Sequence, residues 1–272
     1  MKSIKILFPI FLMTILAACS IFNIGKGSSS PGGLGGVDPS AGGVRILLEA
    51  DVPASQEISD SEMQAVVRVI EDRINGLGNQ KAVVKREGQR QISVVFGGAI
   101  DPAQLERWVS LIKQTALIEF VDLSGISPSD AMNLVGKTIQ TDNLLISSNA
   151  ATDIKNQSEK VWHTVLTGAQ LKNASTGKDN LGQYNVEIEF TTQGGSQFAD
   201  YTGSHVGTIL AIVLDKEVIS APVINSMIPD GKAVISGSFT QDRAEQLAIQ
   251  LRSGALPVPL KVVESGFMTP GP

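Results

Sequence analysis

Cysteine is nearly absent: Cys19 is the single one among 272 residues. The chain therefore forms no internal disulfide, builds no cysteine metal cluster, and must cohere by packing. Histidine is almost as scarce. His163 and His205 are the two present, and neither lies in a ligand spacing such as H-E-x-x-H, so each reads as a surface or strand-edge residue. A surplus of basic residues is missing too. The net charge of −5 argues against nucleic acid as the main partner, because a phosphate-binding face needs excess Lys and Arg. Long apolar runs are also lacking. The stretch from Ile6 to Leu16 is too short to cross roughly 30 Å of hydrocarbon, which takes about 20 residues, and no later segment approaches that length.

What is present begins with an export signal: Lys2 and Lys5, the apolar run, then Leu16-Ala17-Ala18-Cys19. A cysteine directly after Leu-Ala-Ala matches the bacterial lipobox, so residues 1–18 are expected to be removed and Cys19 to carry the lipid. The expected location is the cell membrane or envelope, on the extracytoplasmic side, held by that anchor. Residues 19–42 are rich in Gly, Ser and Pro, as in GKGSSSPGGLGG, and read as a flexible tether. The apolar content of 42% across the whole chain supports a globular remainder.

From Gly43 the pattern becomes periodic. Val44–Val52 reads as a strand, and Ser59-Asp60-Ser61-Glu62 as a capping box opening a helix whose inner face is Met63, Val66, Val67, Ile70, Ile74 and Leu77. Strands are expected over Ala82–Arg86 and Gln91–Phe96, then a helix capped by Asp101-Pro102 with Leu105, Trp108, Val109 and Ile112 inward, then a strand over Ala116–Leu123. The order βαββαβ is the ferredoxin-like arrangement, and the fold class is α+β.

Residues 127–181 are less regular: a short helix over Ser129–Val135, a polar loop near Ser147–Ser158, the segment VWHTVLTG, and a short helix after Gly168. Periodicity returns with Val186, Ile188 and Phe190 in a half-buried strand, a helix carrying Phe198 and Tyr201, and a central strand over Ile209–Leu214. Two strands follow near Val218–Ile228 and Ala233–Phe239. Thr240 caps a helix facing inward through Ala244, Leu247, Ala248 and Leu251, and a final strand spans Leu256–Glu264.

No catalytic constellation assembles, and no cofactor or metal is expected. Ala131–Thr138 has the end of a phosphate loop but not its opening glycine, and no buried strand leads into it. No Gly-x-Ser-x-Gly elbow occurs. Glu187 and Glu189 fall at period-2 spacing on the outer face of a strand, where solvation is the default reading.

The remaining segments carry a resemblance. VLTGAQLKNA (165–174), AIVLDKEVISAPVI (211–224), DGKAVISGSFT (230–240) and RSGALPVPLKVVE (252–264) resemble the first large periplasmic domain of the SecD family. GGVRILLEADV (42–52), the turn from Arg73 to Gly78 and the Phe-Gly-Gly before Asp101 agree with it. The resemblance implies a ferredoxin-like base at 43–123, a head at 124–250, a closing segment at 251–266 expected to return to the base, and a tail at 267–272. It further implies a protein-export role: binding emerging or unfolded polypeptide, or the Sec translocon. The family's membrane helices are not seen in this sequence, so no proton coupling of its own is expected, and the missing catalytic constellation leads to the expectation of no enzymatic activity. Ser220, Ala221 and Pro222 are the expected polypeptide contact. The alternative is an envelope-assembly lipoprotein that keeps only the fold.

Overall fold

The computed structural model describes residues 42–78, 82–143 and 160–268. The expected signal, the lipid site at Cys19, the tether before Gly42 and the polar loop near Ser147–Ser158 lie outside the described residues.

Strand β1 (Gly43–Ala50) buries every second residue, Val44, Ile46, Leu48 and Ala50. Helix α1 (Asp60–Gly76) opens with the expected box: Glu62 N–H donates to Ser59 Oγ at 3.2 Å and the Ser59 N–H to the Glu62 carboxylate at 2.8 Å. Such a cap contributes about 1 kcal/mol. The hairpin β2 (Ala82–Glu87) and β3 (Gln91–Gly97) follows, then α2 (Pro102–Lys113), capped by Asp101, which accepts from the Ala103 N–H at 3.0 Å. α1 and α2 cover one face of the sheet, where Phe96 packs on Trp108 with ring centres 4.5 Å apart.

The strand that completes this sheet is not the one the sequence suggests. β4 (Ile118–Asp122) pairs elsewhere, and its place beside β1 is taken by the C-terminal β12 (Leu260–Met268), giving the order β12-β1-β3-β2, antiparallel throughout. The physical reason is burial on two sides. Ile118 and Phe120 enter one core cluster while Val121 enters another, and the base sheet has helices on one face only. β12 also begins and ends later than read, taking Phe267 and Met268 from the expected tail.

The head is built on two further sheets. α3 (Pro128–Met132), β5 (Gln140–Thr141), β6 (Val161–Thr167), β7 (Leu171–Lys178), β8 (Tyr184–Phe190), α4 (Thr192–Ser204), β9 (Leu210–Leu214), β10 (Glu217–Ser220), β11 (Lys232–Phe239) and α5 (Gln241–Ser253) complete the element order. One sheet runs β10-β9-β4-β6-β5 and the other β11-β8-β7. Phe120, Phe190 and Phe198, with centres 4.7 to 5.8 Å apart, fill the core they share with α4 and α5. β8 and β9 lie in different sheets, and three strands rather than two separate α4 from α5, so the second half repeats neither the element order nor the topology of the first. The short helix expected after Gly168 is one 3₁₀ turn, Gly168–Gln170, leading into β7. The strand expected over Val218–Ile228 ends at Ser220.

The chain passes from base to head after α2 and back after α5, and one side chain holds both crossings. Arg73, fully buried in α1, donates to the carbonyls of Leu111 and Ile112 (3.0 Å each), Gln114, Thr115 (3.3 Å) and Gly254 (3.1 Å), and to Ser253 Oγ at 3.3 Å. Burial lowers its pKa to about 10, against the pull of Asp215, so it remains charged at neutral pH. From the head, Asp215 accepts the N–H groups of Ala116 (3.1 Å) and Leu117 (2.8 Å).

Gly76, the last residue of α1, lies against α5. A Cβ there would lie 2.9 Å from Ile249 Cγ2 and 3.2 Å from Arg252 Nη2 of α5. Gly76→Val is therefore expected to lower stability by about 1–3 kcal/mol through overpacking. Urea unfolding measures it, and an unchanged midpoint would contradict so close a helix approach.

Candidate functional site

The expected contact region, Ser220-Ala221-Pro222, sits where β10 ends. Its position is fixed from below by the β9–β10 turn, Asp215-Lys216, both at positive φ (49° and 70°), as a two-residue hairpin turn with that twist demands. Lys216 Nζ donates to Glu119 Oε1 at 2.7 Å and to the Asn143 carbonyl at 2.8 Å, and also bonds Thr141 Oγ1. Glu119, fully buried on β4, accepts from Thr141 (2.6 Å) and Thr164 (2.8 Å) through its other oxygen. This buried ion pair thus ties β4, β5 and β6 to the turn that launches β10.

Beyond the turn, Ser220 Oγ donates to the Ser236 carbonyl of β11 at 2.9 Å. Ala221 packs half-buried against the cluster around Val121, Ala211 and Val213. Pro222 is exposed, and its carbonyl accepts from the Leu210 N–H at 3.1 Å. The loop is then stapled to the end of α4: Ile224 donates to Thr208 O and accepts from the Gly207 N–H, both at 2.8 Å, and Ile228 N–H donates to Thr202 Oγ1 at 3.0 Å. His205 stacks on Tyr201 with centres 4.1 Å apart, which fixes the turn after α4.

These two tied segments present apolar side chains to solvent. Val206 and Met227 are 54% and 52% exposed and Val223 38%, beside exposed Pro222, and Met227 Sδ lies 3.4 Å from where a Cβ on Gly203 would stand. Sequence reasoning found the Pro222 turn but missed Val206 and Met227. Each is a single apolar residue among polar ones, a weak signal, and only the backbone bonds between the two segments bring them to one end of α4.

The arrangement offers apolar contact and backbone rigidity; Ser204 Oγ lies 3.0 Å from His205 Nδ1, but the hydroxyl is also bonded to the Asp200 carbonyl at 2.7 Å and the ring nitrogen to the Tyr201 carbonyl at 3.0 Å, contacts that close the end of α4. His163 is engaged by Asp142 at 2.6 Å on the surface of β6. Among the described residues no group of three or more His, Cys, Asp or Glu side chains converges as metal ligands, and no helix is long and apolar enough to span a membrane.

Comparison with known proteins places this architecture. Residues 145–258 match the SecDF P1 head subdomain, and residues 63–125 the N-terminal part of the P1 domain of protein translocase subunit SecDF. The chain is 37% identical over 229 residues to protein translocase subunit SecD of Dictyoglomus turgidum, covering 84% of this chain and 47% of that one. It is 35% identical over 223 residues to protein translocase subunit SecDF of Thermus thermophilus, covering 82% of this chain and 30% of that one. The chain thus spans less than half the length of these two relatives. In three dimensions it superposes on SecDF in its super-membrane-facing form with a TM-score of 0.67 and 31% identity, over 85% of this chain and 31% of that one. A solved chain of a membrane component SecDF that enhances protein export superposes with a TM-score of 0.62 and 33% identity, over 81% of this chain and 98% of that one. The chain belongs to the SecD/SecDF family, and its folded part corresponds to that family's P1 domain.

Proposed function

We propose that this protein assists export by holding polypeptide as it emerges on the outer side of the membrane, acting beside subunits of the Sec translocon. A lipid on Cys19 holds it at the membrane, and the head presents the contact surface. The observation that carries the reading is the apolar end of α4 on a head matched to the P1 head subdomain: Pro222, Val223 and Met227 on one loop, and Val206 on the turn stapled to it. Such a surface takes extended apolar segments with little sequence preference, and a methionine on it adapts to varied side chains. The reading includes no enzymatic step and no cofactor.

The test is binding of an unfolded, fluorescently labelled secretory client to the purified folded chain. Val223→Glu with Met227→Glu is expected to weaken binding at least about tenfold, since two charges would be desolvated or the contact abandoned. Ser220→Ala should change it less, because that hydroxyl is spent on Ser236. Unchanged affinity in the double variant would remove this surface as the contact. For the anchor, Cys19→Ser is expected to release the protein from membranes, read by fractionation.

A further inference from the structure

The three-stranded head sheet has two edges, and they end differently. Phe190 N–H donates to the Gly231 carbonyl at 2.8 Å, and in the register that continues from there Ala233 and Ile235 of β11 lie opposite Ile188 and Val186 of β8. Residues of an antiparallel ladder exchange bonds at every second position. Gly231, Ala233 and Ile235 therefore point their backbone groups at β8, while Lys232, Val234 and Ser236 point theirs away from the sheet. Burial agrees: Ala233 and Ile235 pack on the core, and Lys232, Val234 and Ser236 are exposed.

By the same alternation the Ala174 carbonyl of β7 faces the opposite edge, and Arg252 Nη1 of α5 donates to it at 3.2 Å. On the β11 edge the Ser236 carbonyl is taken by Ser220 Oγ at 2.9 Å. The sheet order ends at β11, and beyond it Lys232 and Val234 make no backbone bond to any described residue. Their two N–H and two C=O groups form a short open edge, which folded proteins usually blunt. Lysine is a common guard of such edges, but Lys232 is drawn to the outer face of the sheet. It lies opposite Glu189, where the Lys172 hydrogen bond, then the charges of Lys172 and Lys232, hold the Glu189 carboxyl below its usual range.

We propose that Lys232 and Val234 take the backbone of an extended polypeptide as a fourth strand beside β11. Donors and acceptors alternating along an extended chain match the same row on another extended chain, whatever its side chains. The edge is continuous with the apolar contact surface. Only Ile228 to Gly231 separate Met227 from Lys232, a span of at most about 18 Å, so a bound segment of about six residues reaches both. Ser220 on Ser236 limits the added strand at its other end. The inference rests on the polypeptide-binding reading and supplies its main-chain part, by which clients of unrelated sequence are held alike.

The test uses the whole folded chain and two labelled peptides of one apolar, extended sequence, one of them N-methylated at its central residues so that neither of its edges can donate there. The plain peptide is expected to bind about tenfold more tightly by fluorescence anisotropy, the net effect of one or two hydrogen bonds. Val234→Pro removes the N–H that faces the open edge and no bond to β8, and should erase the difference with little change in melting temperature. Hydrogen exchange gives a reading that needs no variant. The plain peptide should slow exchange at the Lys232 and Val234 amides about tenfold and leave Ala233 and Ile235, already bonded to β8, as they were. Equal binding of the two peptides, a difference retained in a folded Val234→Pro, or unslowed exchange at Lys232 and Val234 overturns the added strand and leaves the apolar contact standing. Binding of neither peptide overturns both. Protection of the two amides that grows with protein concentration and needs no peptide assigns the edge to a second copy of this chain, and overturns the proposal as well.

Discussion

Replacing Arg73 with methionine is expected to lower the free energy of unfolding by about 3–5 kcal/mol, among the largest effects available to one substitution here. The guanidinium is buried and is the hydrogen-bond partner of carbonyls at both crossings between base and head. Methionine fills much of the volume but leaves those carbonyls facing a thioether. Leu111, Ile112 and the residues after them are the C-terminal carbonyls of α2, which have no partner within the helix. Arg73→Lys should recover less than half of the loss, because a single ammonium cannot span carbonyls as far apart as Leu111 and Gly254. Denaturant unfolding gives the magnitude, and limited proteolysis gives the place: cleavage should appear first near residues 113–117 and 253–255. A loss under about 1 kcal/mol, the size of one ordinary hydrogen bond, would show that the crossings are held by something else.

Lys216→Met is the second large effect, expected at about 3–5 kcal/mol, because it strands the fully buried Glu119 carboxylate without its cation. The two Thr hydroxyls that also bond Glu119 do not neutralise it. The loss should be repaired in large part by the double variant Lys216→Met with Glu119→Leu, since a well-packed apolar pair is often as stable as a buried ion pair. A double variant no more stable than Lys216→Met alone would mean that the network is needed to set the β9–β10 turn itself. Client binding separates the two cases, because a displaced turn also displaces Ser220–Val223.

Both residues show why part of this fold could be read in the sequence and part could not. β1, α1 and α5 were legible because each has one buried face: Val44, Ile46 and Leu48 alternate, and Met63, Val66 and Ile70 recur at helical spacing. The capping residues Ser59, Asp101 and Thr240 were legible because the bond each makes is local. Glu119 and Arg73 were not. A Glu inside a strand reads as outward-facing, and its partner Lys216 is 97 residues away. An Arg in a helix's last turn reads as a complement to the dipole, and nothing local says that the head's crossings will close over it.

The placement of β4 was lost for a related reason. The order βαββαβ satisfies a ferredoxin-like sheet with consecutive elements, but which strand pairs with β1 depends on a segment near the other end of the chain. β7 escaped notice because LKNASTGK turns few apolar residues inward, Ala174 being the one fully buried. In the candidate site, Pro222 was visible as a turn. The side chains that give the surface its character, Val206 and Met227, become a group only through the bonds of Ile224 to Gly207 and Thr208.

The most direct test of the central claim is in-cell photocrosslinking from a probe at Val223, with a second probe at exposed Glu71 on the base as control. Capture of several different secretory polypeptides, or of Sec channel subunits, from Val223 and not from Glu71 is the predicted result. Capture of resident envelope proteins alone, or the same products from both positions, would contradict it and leave an envelope-assembly role on a shared fold.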